Sequence, residues 1–291
     1  MRIRDLFGAL WLLAGAGTSL ALEPPPGKPP VRNYLMAEYQ GHLNNWVVRQ
    51  GPDQRIYVGG GDGLVIFDGA GWQSIRSRHR SRIRVMEVDR AGRIWTGSPD
   101  EFGYFAPSSE GALLYTSLSD MLPDEHRNFG PVRGVQLIEG AVYFNALRRL
   151  FRWRHGELMV VAADADEVFR VSLNHRNRFL VAVGNRLVDY TEFPPAGTPV
   201  QPEQRWQMPE GPRLSFLASW PDGRILMGSV DDGLFWLGED GAQPLETAFD
   251  FSQAWPYRAV PAPGGGMLVG SQLQGLFHLG PGGEALEQIT H

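Results

Sequence analysis

One short pattern recurs six times along this chain, and no other feature constrains its fold as much. An apolar, β-rich run ends near a small residue, a few residues intervene, and a second apolar run follows. IYVGG (56–60) leads to GLVIFD (63–68), and IWTGS (94–98) leads to FGYFAP (102–107). VYFNA (142–146) leads to RLFRWR (149–154), and LVAVGN (180–185) to RLVDYT (186–191). ILMGS (225–229) leads to GLFWLG (233–238), and MLVGS (267–271) to GLFHLG (275–280). Taking Gly59, Gly97, Asn145, Gly184, Gly228 and Gly270 as equivalent gives steps of 38, 48, 39, 44 and 42 residues. That period, about 42 residues, is the length of one four-stranded blade.

Each unit supplies the strands such a blade needs. An alternating segment precedes the first run: WVVRQ (46–50), IRVMEV (83–88), VRGVQLI (132–138), VFRVSL (168–173), LSFLASW (214–220) and YRAV (257–260). Between the two lie turns rich in Gly, Asp, Asn and Pro, such as GPDQR, DRAGR, NHRNR and WPDGR. Gly-rich turns after the third strand return the chain as a fourth. Helical periodicity is missing after residue 22, apart from one turn's worth at 117–126. A β-helix needs shorter rungs, and a sandwich does not repeat one motif six times. The expected fold is all-β, a β-propeller of four-stranded blades with six repeats visible, either closing alone or forming part of a seven-bladed ring. In the second alternative, residues 34–43 supply an outer strand to a blade completed by further sequence.

The first thirty residues read as an address and a spacer. Arg2 and Arg4 precede an uncharged run from Leu6 to Leu22, with small residues at Ser19 and Ala21. That is a secretory signal peptide over 1–21. Residues 22–33 hold five prolines in twelve positions and form an extended linker, so the propeller occupies 34–291. The expected location is the periplasm, with membrane contact only through an uncleaved signal or a further C-terminal part.

Composition excludes several functions. The chain has no cysteine, so disulfides, thiolate metal sites and a cysteine nucleophile are out. A net charge of −5 argues against a nucleic-acid binder. Its seven histidines show no metal-ligand spacing, and no G-x-S-x-G appears. The glycines at 59–63 lead into another strand rather than a helix, so they make no phosphate cradle. No catalytic residue, metal or cofactor is expected.

Propellers commonly bind ligands on the face built from the loops between second and third strands and the loops entering the inner strands. Those loops carry Asp62, Asp100, Glu101, Asn145, Asp231, Asp232, Gln272 and Gln274, with Trp46 and Trp255 nearby. Amide and carboxylate groups beside exposed rings suit sugar hydroxyls, and equally they suit water. Arg82 belongs to a basic cluster running from Arg76 to Arg93 that either grips an anionic polymer or solvates an edge. Arg78, Arg80, Arg82 and Arg84 share one face if that stretch is a strand. Residues 208–291, by contrast, carry ten acids against three arginines.

Val88-Asp89-Arg90-Ala91-Gly92-Arg93-Ile94-Trp95-Thr96-Gly97 and Trp220-Pro221-Asp222-Gly223-Arg224-Ile225-Leu226-Met227-Gly228 resemble the two-component-regulator propeller repeat. Gly63 to Trp72 resembles that family's strand-and-turn element, and Asp100 to Tyr104 followed by Tyr115 to Leu118 resembles one subgroup's second blade. Blades three and four depart from it: Asn145 stands where glycine is usual, and no Asp-x-x-Gly precedes either. The resemblance implies the periplasmic sensor region of a bacterial receptor. Family members continue into a β-sandwich, a membrane helix and an output domain: a histidine kinase, a helix-turn-helix regulator or a diguanylate cyclase. The expected function is therefore a non-enzymatic sensory, ligand-binding propeller without its own output domain, taking a carbohydrate or other small ligand, or a protein partner. The alternatives are a secreted propeller enzyme acting on a polysaccharide or lactone, and a pure protein-interaction scaffold.

Overall fold

The structure is a computed structural model that describes residues 32–77, 81–164, 166–193, 203–209, 211, 213–238 and 241–290. The proposed signal peptide and most of the linker lie outside the described residues. The chain divides into two units, Met1–Tyr34 and Leu35–His291, and every sheet belongs to the second.

The described residues form twenty-four strands in six antiparallel sheets, each a meander of four consecutive strands. The first blade is β1 (Asn45–Gln50), β2 (Ile56–Gly60), β3 (Gly63–Phe67) and β4 (Trp72–Arg76). The second is β5 (Val85–Val88), β6 (Ile94–Ser98), β7 (Glu101–Pro107) and β8 (Leu113–Ser117). The third is β9 (Val132–Ile138), β10 (Ala141–Ala146), β11 (Arg149–Arg154) and β12 (Glu157–Ala162). The fourth is β13 (Phe169–His175), β14 (Arg178–Val183), β15 (Arg186–Asp189) and β16 (Glu203–Gln207). The fifth is β17 (Leu214–Ser219), β18 (Ile225–Ser229), β19 (Gly233–Gly238) and β20 (Gly241–Pro244). The sixth is β21 (Pro256–Pro261), β22 (Met267–Ser271), β23 (Leu276–Leu279) and β24 (Ala285–Ile289). The architecture is a six-bladed β-propeller.

The repeat has a mechanical explanation. In the second blade Asp89 closes the β5–β6 hairpin: its Oδ1 accepts the N–H groups of Ala91 and Arg93, both at 2.9 Å. Its Oδ2 accepts the indole N–H of the buried Trp95 at 3.0 Å. Gly92 supplies the left-handed residue, with φ +78°. Asp222 accepts Arg224 N–H at 2.9 Å in the same way. Asp53 does so for Arg55 at 3.2 Å and takes the Tyr57 hydroxyl at 2.7 Å. A single carboxylate thus fixes both the turn and the ring that follows it.

The recurring glycine serves blade-to-blade packing. A Cβ on Gly59 would lie 2.7 Å from Ile83 of the second blade, and one on Gly97 would lie 2.5 Å from Val132 of the third. One equivalence changes: Ala182, not Gly184, holds this place in the fourth blade, because Ala182 pairs with Leu187 as Gly59 pairs with Leu64. Gly184 instead sits in the turn after β14, at φ +57°.

Five apolar clusters join successive blades. Val47, Leu64 and Ile66 meet Ile83, Met86 and Phe105. Trp95 and Phe102 meet Phe144 and Phe151. Tyr143 meets Phe169 and Phe179, Leu180 and Leu187 meet Ile225 and Met227, and Phe216 and Trp220 meet Val269 and Phe277. Among the described residues no such cluster joins the sixth blade to the first. Val48, Tyr257, Val260 and Ile289, on those two blades, are exposed at 54%, 51%, 46% and 43%. A Cβ on Gly270 would meet nothing closer than 3.8 Å. The ring therefore has one unsealed seam.

Residues 34–43 do not form the outer strand of the seven-bladed alternative. Met36–Tyr39 is a single helical turn, α1, with Glu38 accepting the Leu35 N–H at 2.7 Å. Tyr39 packs on Trp72, with ring centroids 5.8 Å apart. The helical signal at 117–126 resolves into two short 3-10 turns, Ser119–Met121 and Asp124–His126.

Candidate functional site

The first strand of every blade lines a central cavity of about 700 Å³. Its geometry follows from a defect repeated at the entry of these strands. An extra residue interrupts the pairing of β1 between Asn45 and Val47, of β9 between Val132 and Gly134, of β17 between Leu214 and Phe216, and of β21 between Pro256 and Arg258. One extra residue does the same in β13, where the three steps from Phe169 to Ser172 face the two from Val183 to Val181. A bulge breaks the alternation of faces and re-aims a side chain. The inserted residues Trp46, Arg133, Arg170, Ser215 and Tyr257 all line the cavity. Arg84 takes the matching place in the second blade, one residue before the Val85–Gly97 pair.

Arginine dominates the charge of this channel. Arg49, Arg84, Arg133, Arg170, Arg213 and Arg258 line it, one from each blade, and Glu87 is the carboxylate in its wall. Glu87 is already engaged: Arg49 donates to its Oε1 at 3.0 and 2.6 Å. Arg213 is held by Asp231 through two bonds of 2.6 and 2.9 Å, and that hydrogen bonding keeps the Asp231 carboxyl below its usual pKa. Arg84 lies over the Trp46 ring at 4.8 Å. Among the described residues, no carboxylate pairs with Arg84, Arg133, Arg170 or Arg258. Arg258 is reached by water yet hemmed by protein; lost hydration, and then the Arg49 charge, lower its pKa. In a chain of net charge −5, the channel is a positive well.

The loop residues expected from the sequence are differently placed. Of that set, Trp46 lines the channel. Asn145 is fully buried and donates to the Arg170 carbonyl at 3.3 Å, tying the third blade to the fourth. Asp100 sits in a left-handed turn at φ +52° and accepts the Gly130 N–H at 2.6 Å. Glu101 accepts the hydroxyls of Tyr115 and Ser117 at 2.9 and 2.8 Å. Asp231 is paired with Arg213, and Asp232 accepts the Ser229 hydroxyl at 2.7 Å. Gln272 donates its backbone N–H to the Trp255 carbonyl at 3.1 Å, and Gln274 donates its own to Ser271 Oγ at 3.0 Å. Trp255 is 41% exposed, at φ +55°. Asp62 accepts the Ser77 N–H at its backbone carbonyl, 3.2 Å away. Arg82 is exposed between β4 and β5 rather than on a strand, and residues 78–80 lie outside the described residues. Arg82 and Arg84 therefore do not share a strand face. Among the described residues, no group of three or more His, Asp or Glu is placed to hold a metal ion.

Fold and cavity together define a propeller with an open, arginine-lined channel. No family model and no curated protein sequence matches the chain. Solved structures do share the architecture. A streptogramin B lyase superposes with a TM-score of 0.67 at 12% identity, covering 87% of this chain and 86% of that one. Virginiamycin B lyase from Staphylococcus aureus gives 0.65 at 10% identity, over 84% and 83% of the two chains. YCF48 bound to D1 peptide gives 0.61 at 12% identity, over 86% and 82%. These likenesses establish the β-propeller fold, and they join lyases with a peptide-binding propeller.

Proposed function

We propose that this chain is an exported, non-catalytic ligand-binding propeller, the sensory module of a periplasmic signalling receptor, and that its ligand sits in the central channel. The observation that supports the reading best is the channel wall. All six blades contribute to a cavity within the size range of small-molecule sites, and four of its guanidinium groups have no carboxylate partner among the described residues. Arginine stays protonated and donates hydrogen bonds, so such a wall suits holding a ligand better than moving protons through a reaction. A ligand that touches several blades at once is also suited to signalling, since it ties together parts of the ring joined elsewhere only by neighbour contacts.

The test is a thermal-shift screen of the purified chain against neutral and acidic small molecules, with mass spectrometry of each hit after incubation. A ligand that binds only the folded state raises the melting temperature. The expected result is a raised transition with the ligand recovered unchanged. Recovery of a cleaved or eliminated product would overturn the non-catalytic reading in favour of a propeller enzyme.

A further inference from the structure

We propose that the channel is an oxyanion site with a divided wall, in which Arg84, Arg133 and Arg170 hold the charged groups of a small multivalent anion while Trp46 and Tyr257 stack on its ring. The inference rests on the channel being the binding site, and it names the ligand class: a cyclic compound with a flat face and two or more carboxylate, sulfate or phosphate groups.

The strand registers carry it. In the first, third, fifth and sixth blades the bulged residue precedes the partner of the blade's Gly or Asn: Val47 opposite Gly59, Gly134 opposite Asn145, Phe216 opposite Gly228 and Arg258 opposite Gly270. Arg84 and Arg170 occupy the corresponding places in the second and fourth. Around the ring this level reads Trp46, Arg84, Arg133, Arg170, Ser215, Tyr257, and all six line the same cavity. Three successive blades give arginine. The arc across from them gives Ser215 and two exposed aromatic rings, Trp46 at 38% and Tyr257 at 51%.

Such a layout is costly without a ligand. With Arg258, these arginines make four unpaired guanidinium charges that face one cavity and repel, while Glu87, the carboxylate among the described wall residues, is spent on Arg49. A multivalent anion removes that repulsion and gains charge-assisted, bidentate hydrogen bonds. Packed sheets stand about 10 Å apart, so arginines on neighbouring blades start well separated. Oxyanions spread around a ring match that spacing better than oxyanions fused at one centre. Arg84 already covers one face of the Trp46 ring, 4.8 Å from its centroid, so a flat ring stacks on Tyr257 and on the other Trp46 face.

The test uses three probes by titration calorimetry at about 50 mM and about 300 mM NaCl, a range that strongly changes screening. They are benzene-1,3,5-tricarboxylate, citrate and inorganic sulfate. The expected order is tricarboxylate tighter than citrate tighter than sulfate, each weaker at the higher salt. Arg133→Gln and Arg170→Gln should each cost the tricarboxylate about ten- to a hundredfold in affinity. Trp46→Leu should bring it to the level of citrate and leave citrate unchanged. The arginine variants should melt, without ligand, no lower than the parent, because each loses a repelling charge rather than a contact. Unchanged anion affinity in both arginine variants overturns the inference, and equal binding of citrate and the tricarboxylate overturns its aromatic half. If neutral compounds bind and Trp46→Leu abolishes that binding while no anion binds, the anion class fails but the channel stands. If nothing binds, both fail.

Discussion

Replacing Phe102 by Ala and, separately, Val48, Val260 and Ile289 together by Ser, tests whether the ring is sealed at five interfaces and open at the sixth. Phe102 is fully buried, with ring centroids 4.5 Å from Phe151, 4.6 Å from Phe144 and 5.5 Å from Phe129. Removing such a ring forfeits its transfer free energy and leaves a cavity, about 3–5 kcal/mol in all. Against a total stability of about 5–15 kcal/mol that is a large loss, and on the order of 10 °C in melting temperature. The three seam residues are already 43–54% exposed. Surface substitutions cost about 0.5 kcal/mol or less each, so the triple variant should lose no more than about 1.5 kcal/mol. Urea unfolding followed by tryptophan fluorescence measures both, with the shift in midpoint at constant slope read as stability. A triple variant as damaged as Phe102→Ala would refute the reasoning, because it would require the sixth blade and the first to share a core in solution.

The same logic separates two glycines and one acid. Gly97→Ala drives a methyl into Val132 and should cost about 1–3 kcal/mol, whereas Gly270→Ala, whose methyl meets its nearest neighbour at an ordinary contact distance of 3.8 Å, should be close to neutral; thermal melts of both variants check the contrast. The Asp189 side chain is largely covered, which alone would raise its pKa, but hydrogen bonds from Thr191 and Arg178 at 2.6 and 2.7 Å bring it below 3.8. Its contribution is therefore fully present above about pH 4 and lost as the pH falls through the depressed folded value. Asp189→Asn should cost about 2 kcal/mol at pH 7, below the range for a fully buried pair because Arg178 is half exposed. The variant should also lose part of the stability slope that the parent shows below pH 4, measured as unfolding midpoint against pH.

The blades were legible because their chemistry is local. Asp89, Gly92 and Trp95 form a turn and its anchor within seven residues, so the spacing in the sequence is the spacing in the structure. The third and fourth blades lacked that signature, and there alignment by glycine slipped to Gly184, two residues beyond Ala182. Residues 34–43 left a six-bladed and a seven-bladed ring both open, because a ten-residue segment gives little periodicity to judge. Within it, Met36–Tyr39 is one helical turn whose Glu38 side chain accepts the Leu35 N–H.

The channel was harder to see for a different reason, although its residues lay in view. Trp46, Arg84, Arg133, Arg170, Ser215 and Tyr257 all fall within the six alternating segments that mark the inner strands. Alternation predicts the direction of a side chain only while the pairing is unbroken, since one inserted residue exchanges the two faces of everything on its far side. In β9, strict alternation from the buried Val135 places Arg133 on the core face, where a charge would be intolerable; the bulge at Arg133 releases it into the channel instead. The usable signal was the conflict itself. In the first blade a large aromatic residue, Trp46, stands one place before the core residue Val47, which is inconsistent with a regular strand and is accommodated by a bulge. The acidic loop residues drew attention because they stood apart from apolar runs, yet most of them are spent on turns, caps and ion pairs. The arginines stood inside the runs, and their lack of local partners left their charge directed at the one space that all six blades share.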